Sequence, residues 1–291
     1  MNSAVEAPLK AGFPWARIAW FGTLAVVACA PVLWALIKQW DYDPDMGHGF
    51  FVPLISGYII WQQRHDLMAT KVTPSWLGII LVLYACLQLT IATLGVELFL
   101  ARTSFVITVI GIVLALGGVE LTRKMAFPLM LLFFMVPIPG VVYNRITFPL
   151  QILASRAAEN ALAFMQIPVL REGNILELVQ QKLSVVEACS GIRSLLSLTF
   201  LSLVYGYFFE KRTWVRVLIF IATIPIAIIA NAGRVTITGV LTDMGKPELA
   251  EGFFHTASGW VIFMMALFIL IGFHQLVTRI AALVARFRVA A

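Results

Sequence analysis

A thiol, a guanidinium and an imidazole stand in three short polar blocks of this chain. Cys189 lies in Glu187-Ala-Cys-Ser-Gly-Ile-Arg193, Arg234 closes Asn231-Ala-Gly-Arg234, and His255 opens His255-Thr-Ala-Ser-Gly-Trp260. Together they have the parts for acyl transfer. A cysteine attacks as its thiolate, which forms more readily beside a cation or a helix N-terminus. A histidine, with an ordinary pKa near 6.5, suits taking the thiol proton and returning it to a leaving amine. An arginine stays charged and forked, fit either to stabilise a tetrahedral oxyanion or to hold a substrate carboxylate; the residues alone do not separate these two roles. Each residue also has an ordinary use. A cysteine at a helix start packs as a small apolar group, an arginine near a span end snorkels, and a histidine there is solvated. Cys29 and Cys86, set among Ala, Val and Leu, read as packing residues.

What must position the three blocks is a membrane fold. The chain has 291 residues, of which 60% are hydrophobic and 12% charged, far from the balance of soluble domains. Eight apolar segments can be drawn: Ile18–Ile37, Gly49–Trp61, Trp76–Leu94, Thr103–Val119, Met125–Val142, Ile192–Phe209, Val215–Ile229 and Gly259–Val277. Most suit helices across a hydrocarbon core of about 30 Å. Gly49–Trp61 is short and begins beside Pro53, and Met125–Val142 carries Pro128, Pro137 and Pro139, which favours kinks or re-entrance. The first run is a full span with no cleavage site after it, so it reads as an anchor and not a secretory signal. The expected fold is an all-α polytopic membrane protein of about eight transmembrane helices, forming one membrane-embedded domain over residues 1–291.

Basic residues cluster in short loops such as Glu120–Lys124 and Glu210–Arg216, and the positive-inside rule then puts both termini in the cytoplasm. Two longer segments face outward. Residues 143–188 open with an amphipathic stretch around Pro149–Gln166 and continue through Gly173–Glu187, where Leu176, Leu178, Leu183 and Val185 alternate with Glu177 and Ser184 like a hairpin. Ala230–Ser258, with Gly233, Gly239, Gly245 and Pro247, reads as a loop with helical ends. The tail 278–291 reads as a basic amphipathic helix on the inner leaflet. In this topology Cys189, Arg234 and His255 share one membrane face, whichever way round the protein sits. The net charge of +6 is spread as orientation signals, so nucleic-acid binding is not expected. Three distant cysteines exclude a disulfide framework and match no zinc spacing.

The strings Val185-Val-Glu-Ala-Cys-Ser-Gly-Ile-Arg-Ser194, Asn231-Ala-Gly-Arg-Val235 and His255-Thr-Ala-Ser-Gly-Trp260, with His48-Gly-Phe-Phe-Val-Pro53 near the second span, resemble the signature blocks of the exosortase/archaeosortase family. The resemblance runs from about Asp41 to Phe273. It implies a membrane-embedded cysteine protease and transpeptidase that processes the C-terminal sorting signals of exported proteins. In bacteria these are PEP-CTERM tails: a Pro-Glu-Pro-like motif, a transmembrane helix and a basic cluster. By the same resemblance the nucleophile falls on Cys189, the arginine on Arg234 and the histidine on His255. The archaeal branch has a second arginine where His255 stands, so the bacterial branch and its inner membrane are implied. No metal or organic cofactor is implied. The implied partners are exported proteins, membrane lipid and an amine acceptor on a lipid or surface glycan.

Four residues are supporting candidates. Arg193, four positions after Cys189 and so on one helix face with it, either depresses the thiol pKa, binds the acid of a Pro-Glu-Pro motif, or pairs with Glu187 or Asp243. Asn231 orients Arg234, joins the oxyanion site, or satisfies helix carbonyls; Glu187 holds an arginine. His48 sits beside Asp41, Asp43 and Asp45, which read as a solvated loop more than as a cation site. Two rival readings are a transporter lined by Arg234 and His255, and a noncatalytic factor for export or exopolysaccharide assembly. Against the first stand the absence of paired inverted repeats and the few charges within the spans.

Overall fold

The computed structural model describes residues 15–179, 181–184, 191–245 and 252–290. It is mostly helical, with one small sheet, and the chain forms two compact units, Met1–Pro139 and Gly140–Ala291.

The first unit contains α1 (Trp15–Ala28), α2 (Ala30–Tyr42), a 3-10 turn (Pro44–Phe50), α3 (Phe51–Gln62), α4 (Arg64–Met68), α5 (Trp76–Leu94), α6 (Leu98–Lys124) and α7 (Ala126–Leu131). Helix α5 turns large apolar groups outward and small ones inward. On α5, Leu83, Leu87 and Ile91 are exposed while Gly78, Ala85, Gln88 and Ala92 are buried. A protein in lipid needs this arrangement, because helices there associate through close packing and polar contacts and gain little from apolar burial. Gly78 shows how close the approach is: a Cβ on it would lie 2.1 Å from the Ala115 backbone nitrogen of α6. At the other end of the pair, Gln88 Nε2 donates to the Leu100 carbonyl (2.9 Å) and to Thr103 Oγ1 (2.8 Å).

Helix α6 is broken at Gly118, whose φ of 83° only glycine adopts readily. Around the break, the N–H groups of Ser75 and Thr73 donate to the carbonyls of Ala115 and Gly117. A Cβ on Gly118 would lie 1.9 Å from the Thr73 carbonyl oxygen. The buried side chains of Leu67, Val113, Leu121, Met125 and Leu129 form a core on the same side of the unit.

The second unit comprises α8 (Gly140–Phe164), β1 (Val169–Glu172), β2 (Ile175–Leu178), β3 (Lys182–Ser184), α9 (Gly191–Phe209), α10 (Thr213–Asp243) and α11 (Gly252–Ala290). The strands form an antiparallel sheet in the order β1-β2-β3, with Leu170 opposite Glu177 and Leu176 opposite Leu183. The expected alternation is present: Leu176, Leu178 and Leu183 are buried against Ala158 and Leu162 of α8 and Val235 of α10. Polar contacts fasten the sheet as well. Arg171 Nε donates to Glu159 Oε2 at 2.6 Å, and Asn174 Nδ2 to Gln151 Oε1 at 3.1 Å. A second core joins Leu198 of α9, Ile219, Ile226 and Ala230 of α10, and Ile262 and Leu270 of α11.

Several expectations need correction. The fold is not purely helical, and the expected hairpin has a third strand, β1. Ile18–Ile37 is not one straight helix: α1 and α2 meet at 75° around Cys29, because Pro31 in the first turn of α2 has no N–H to give the preceding turn. The segment Ala230–Ser258 has helical ends as expected, but the first is long: α10 runs on beyond Ile229 through Asp243. Its Gly239 packs on Leu162, where a Cβ would lie 2.9 Å from Cδ1. The tail from Thr278 continues α11 directly and is not a separate helix. Four helices are long and apolar enough to cross a membrane: α5, α6, α10 and the Gly259–Ala285 part of α11. The count reaches six if α1 with α2, and Ala126–Met135 with Gly140–Phe164, are each one span. The short cases are α3, with 12 residues and a length of about 18 Å, and the Leu195–Phe209 part of α9.

Candidate active site

Helix α10 carries the second polar block in its interior. Asn231 and Arg234 are three residues apart and both buried, as are Ala230, Ala232 and Val235, while Gly233 is exposed. Asn231 is therefore a mid-helix residue and does not cap a helix end. A buried arginine within an apolar helix is costly, and its retention points to a function. Its guanidinium lies against Gly259 of α11, where a Cβ would be 3.4 Å from Nη2 and 3.5 Å from Cζ and Nη1. The missing side chain at Gly259 lets the planar group settle on the backbone of the neighbouring helix. Position 255 is four residues earlier on α11, one turn away on the same helix face. The arginine block and the helix bearing the histidine block are thus brought together.

The elements on either side of the cysteine block pack on α10. Cys189 and Glu187 lie outside the described residues, as do the side chains of Arg193 and His255. β3 ends at Ser184, with Leu183 packed in the core that includes Val235, the neighbour of Arg234. Gln181 Nε2 also donates to Thr242 Oγ1 of α10 at 3.3 Å. On the other side α9 begins at Gly191, and Leu198 packs against α10. Both ends of this short connection are therefore anchored to the helix that bears Arg234.

Asn231 also lines a cavity of about 20 Å³, with room for about one water. The other walls are Thr147, Leu150 and Gln151 of α8, Leu195 of α9, and Ile224, Ala227 and Ile228 of α10.

His48 belongs to the first unit and to a different environment. It sits half-buried in the 3-10 turn, where Gly49 lies against the Trp40 indole and Trp40 Nε1 donates to the Met135 carbonyl at 2.9 Å. Burial lowers its pKa, opposed in part by hydrogen bonds with the backbones of Phe134 and Asp45 and by the Asp45 charge. The result is an imidazole kept neutral near pH 7. Asp43 caps the same turn, accepting from the Asp45 N–H at 3.0 Å. Among the described residues no group of three or more His, Cys, Asp or Glu could hold a metal ion.

Sequence reasoning missed two sets of buried ionisable residues. One is a network in the second unit. His274 Nδ1 and Tyr205 Oη are 2.9 Å apart, and His274 Nε2 is 3.2 Å from Glu210 Oε2. Glu210 Oε1 accepts from the N–H groups of Lys211 and Arg212, each at 2.8 Å. Burial pushes the Glu210 carboxyl up, but these donors, His274 and the Arg212 charge outweigh it and hold the group below its ordinary value. The other is Arg102 in α6, which is 6% exposed. The available signal was the same for both: an ionisable residue within or bordering an apolar run.

A polytopic helical membrane protein with a buried arginine facing a glycine-lined helix is the class that fold and site define. The sequence profile of the transmembrane exosortases matches residues 40–272. The chain belongs to that family. No curated protein and no solved structure gives a significant match.

Proposed function

We propose that this protein is a membrane-embedded cysteine protease and transpeptidase that cleaves the C-terminal sorting signal of exported proteins. Cys189 is the nucleophile. His255 takes the thiol proton, the thiolate attacks the scissile carbonyl, and Arg234 stabilises the resulting oxyanion. The C–N bond breaks, His255 protonates the leaving amine, and a thioester remains on Cys189. An amine acceptor on a lipid or surface glycan then displaces the thiol, and water in its place would give hydrolysis. Arg193, Asn231 and Glu187 support this site. α9 begins two residues after Cys189, so its N-terminal partial positive charge favours the thiolate. The charge pattern supports cytoplasmic termini and eight membrane passages, with the site at the outer face of the inner membrane.

The observation that carries the reading is the Arg234 guanidinium lying on Gly259, one helical turn from position 255. The test is an immunoblot of a tagged PEP-CTERM-type substrate co-expressed with wild type, Cys189→Ala, Arg234→Ala or His255→Ala, at matched membrane abundance. Processing by wild type should disappear in all three variants. Wild-type processing by Cys189→Ala would remove the nucleophile and bring the transporter or assembly reading forward.

A further inference from the structure

Arg102 lies in α6, four residues after Leu98, which places it about 6 Å along the helix axis from the start. Only 6% of it is exposed, and its Nε is buried with no hydrogen-bond partner. Among the described residues the guanidinium makes no hydrogen bond or ion pair. Polar groups at this end of the α5–α6 pair are bonded to one another or to backbone. Gln88 Nε2 bonds to Leu100 and Thr103, Thr103 Oγ1 donates to the Phe99 carbonyl, and Ser104 Oγ donates to the Ala101 carbonyl. The ionisable groups that act on it electrostatically are Glu97 and Tyr42. Glu97 is already spent on the start of α6, where its carboxylate accepts from the N–H groups of Phe99 (3.3 Å) and Leu100 (2.6 Å).

An arginine cannot shed its proton to escape this position, and a buried charge without a partner is among the costliest features a fold can retain. Glu97 acts on Arg102 only through its charge, so an anion from outside the chain would supply the acceptor that the guanidinium lacks. A guanidinium fork matches a carboxylate with two parallel hydrogen bonds. The nearby Glu97 charge disfavours a second negative charge, so a monoanion fits better than a phosphate dianion.

We infer that Arg102 is a recognition site for a single carboxylate, presented at the membrane boundary by an acidic residue next to an apolar helix of the substrate. The inference rests on the transpeptidase reading for the identity of its ligand. Arg102 is then a specificity residue in the first unit, separate from the acyl-transfer blocks of the second.

The experiment uses the full chain in neutral-lipid nanodiscs, in a Cys189→Ala background so that binding is read without turnover. The probe is a fluorescent peptide with one glutamate preceding an apolar helix of about 20 residues, compared by polarisation with its glutamine counterpart. The site should bind the glutamate peptide about 10-fold more tightly. Arg102→Gln should erase the preference, and Arg102→Lys should retain part of it. A preference that survives in Arg102→Gln, with the melting profile of the parent, overturns the assignment. So does Arg102-dependent binding of phosphatidylglycerol vesicles without any peptide preference, which would make the site a lipid headgroup contact. Arg102-dependent binding in a protein that never cleaves would sink the transpeptidase reading alone. Cleavage with no glutamate preference would sink this inference alone.

Discussion

Glu210 and Arg102 are both charges buried in an apolar protein, and their surroundings could hardly differ more. Glu210 has two backbone N–H donors, a histidine ring behind it and a tyrosine behind the histidine. Arg102 makes no hydrogen bond or ion pair among the described residues, and Glu97 acts on it only through its charge. A charge whose partners are all internal ties elements together; here Glu210 joins the α9–α10 turn to α11. A charge left without internal partners contributes little to stability and is retained for something that arrives from outside. For Arg234, buried against Gly259, mutation decides whether the charge serves the fold, as Glu210 does, or the chemistry.

The largest expected effect settles that assignment. Gly259→Leu fills the space where the Arg234 guanidinium lies, and processing should fall by about 100-fold or more while melting in detergent stays near that of wild type. Loss of fold with loss of activity would move Arg234 into the class of Glu210. Next in size, Glu210→Ala leaves His274 and two N–H groups without their acceptor and should destabilise the protein by about 2 kcal/mol, read from its melting transition.

The same contribution has a pH signature. Because the folded carboxyl titrates below its ordinary value, its stabilisation is fully present above about pH 4.5 and is lost as pH falls through the lower folded value. Acid melting curves of wild type and Glu210→Gln should therefore converge as the pH falls through that lowered folded value. Arg102→Met should go the other way, raising stability by about 1.5 kcal/mol while removing the glutamate preference. A destabilised Arg102→Met would erase the contrast with Glu210. The smallest effect is expected for Tyr205→Phe, a loss of about 1 kcal/mol with processing unchanged.

Much of this arrangement was legible in the residues. The apolar runs have helical counterparts, and the order of the cysteine, arginine and histidine blocks pointed to one family before any fold was known. The extension of α10 through Gly233 and Gly239 was hidden because glycines and threonines between apolar runs resemble a loop. In this helix Gly239 is a packing surface for Leu162, and Thr236 and Thr242 return their hydroxyls to the carbonyls of Ala232 and Thr238. β1 was missed because Val-Leu-Arg-Glu is too short to show a period of two. The Glu210–His274 contact joins residues 64 apart, and no local spacing rule reaches that far. Arg102 fell at the edge of an apolar run, where a sequence boundary drawn at Thr103 set it outside the membrane segment.

The break in α6 at Gly118 bears on how the protein is made. The carbonyls of Ala115 and Gly117 find donors in Ser75 and Thr73, which precede α5, so the backbone of each segment is completed by the other. A peptide group with no partner costs several kcal/mol once it is within lipid, so a break at the end of a span is favoured where a neighbouring segment supplies the donors. The two helices are accordingly poor passengers when released singly from the insertion machinery. They are suited to enter the bilayer as a hairpin, with residues 73–75 waiting at its mouth until Gly118 has been synthesised.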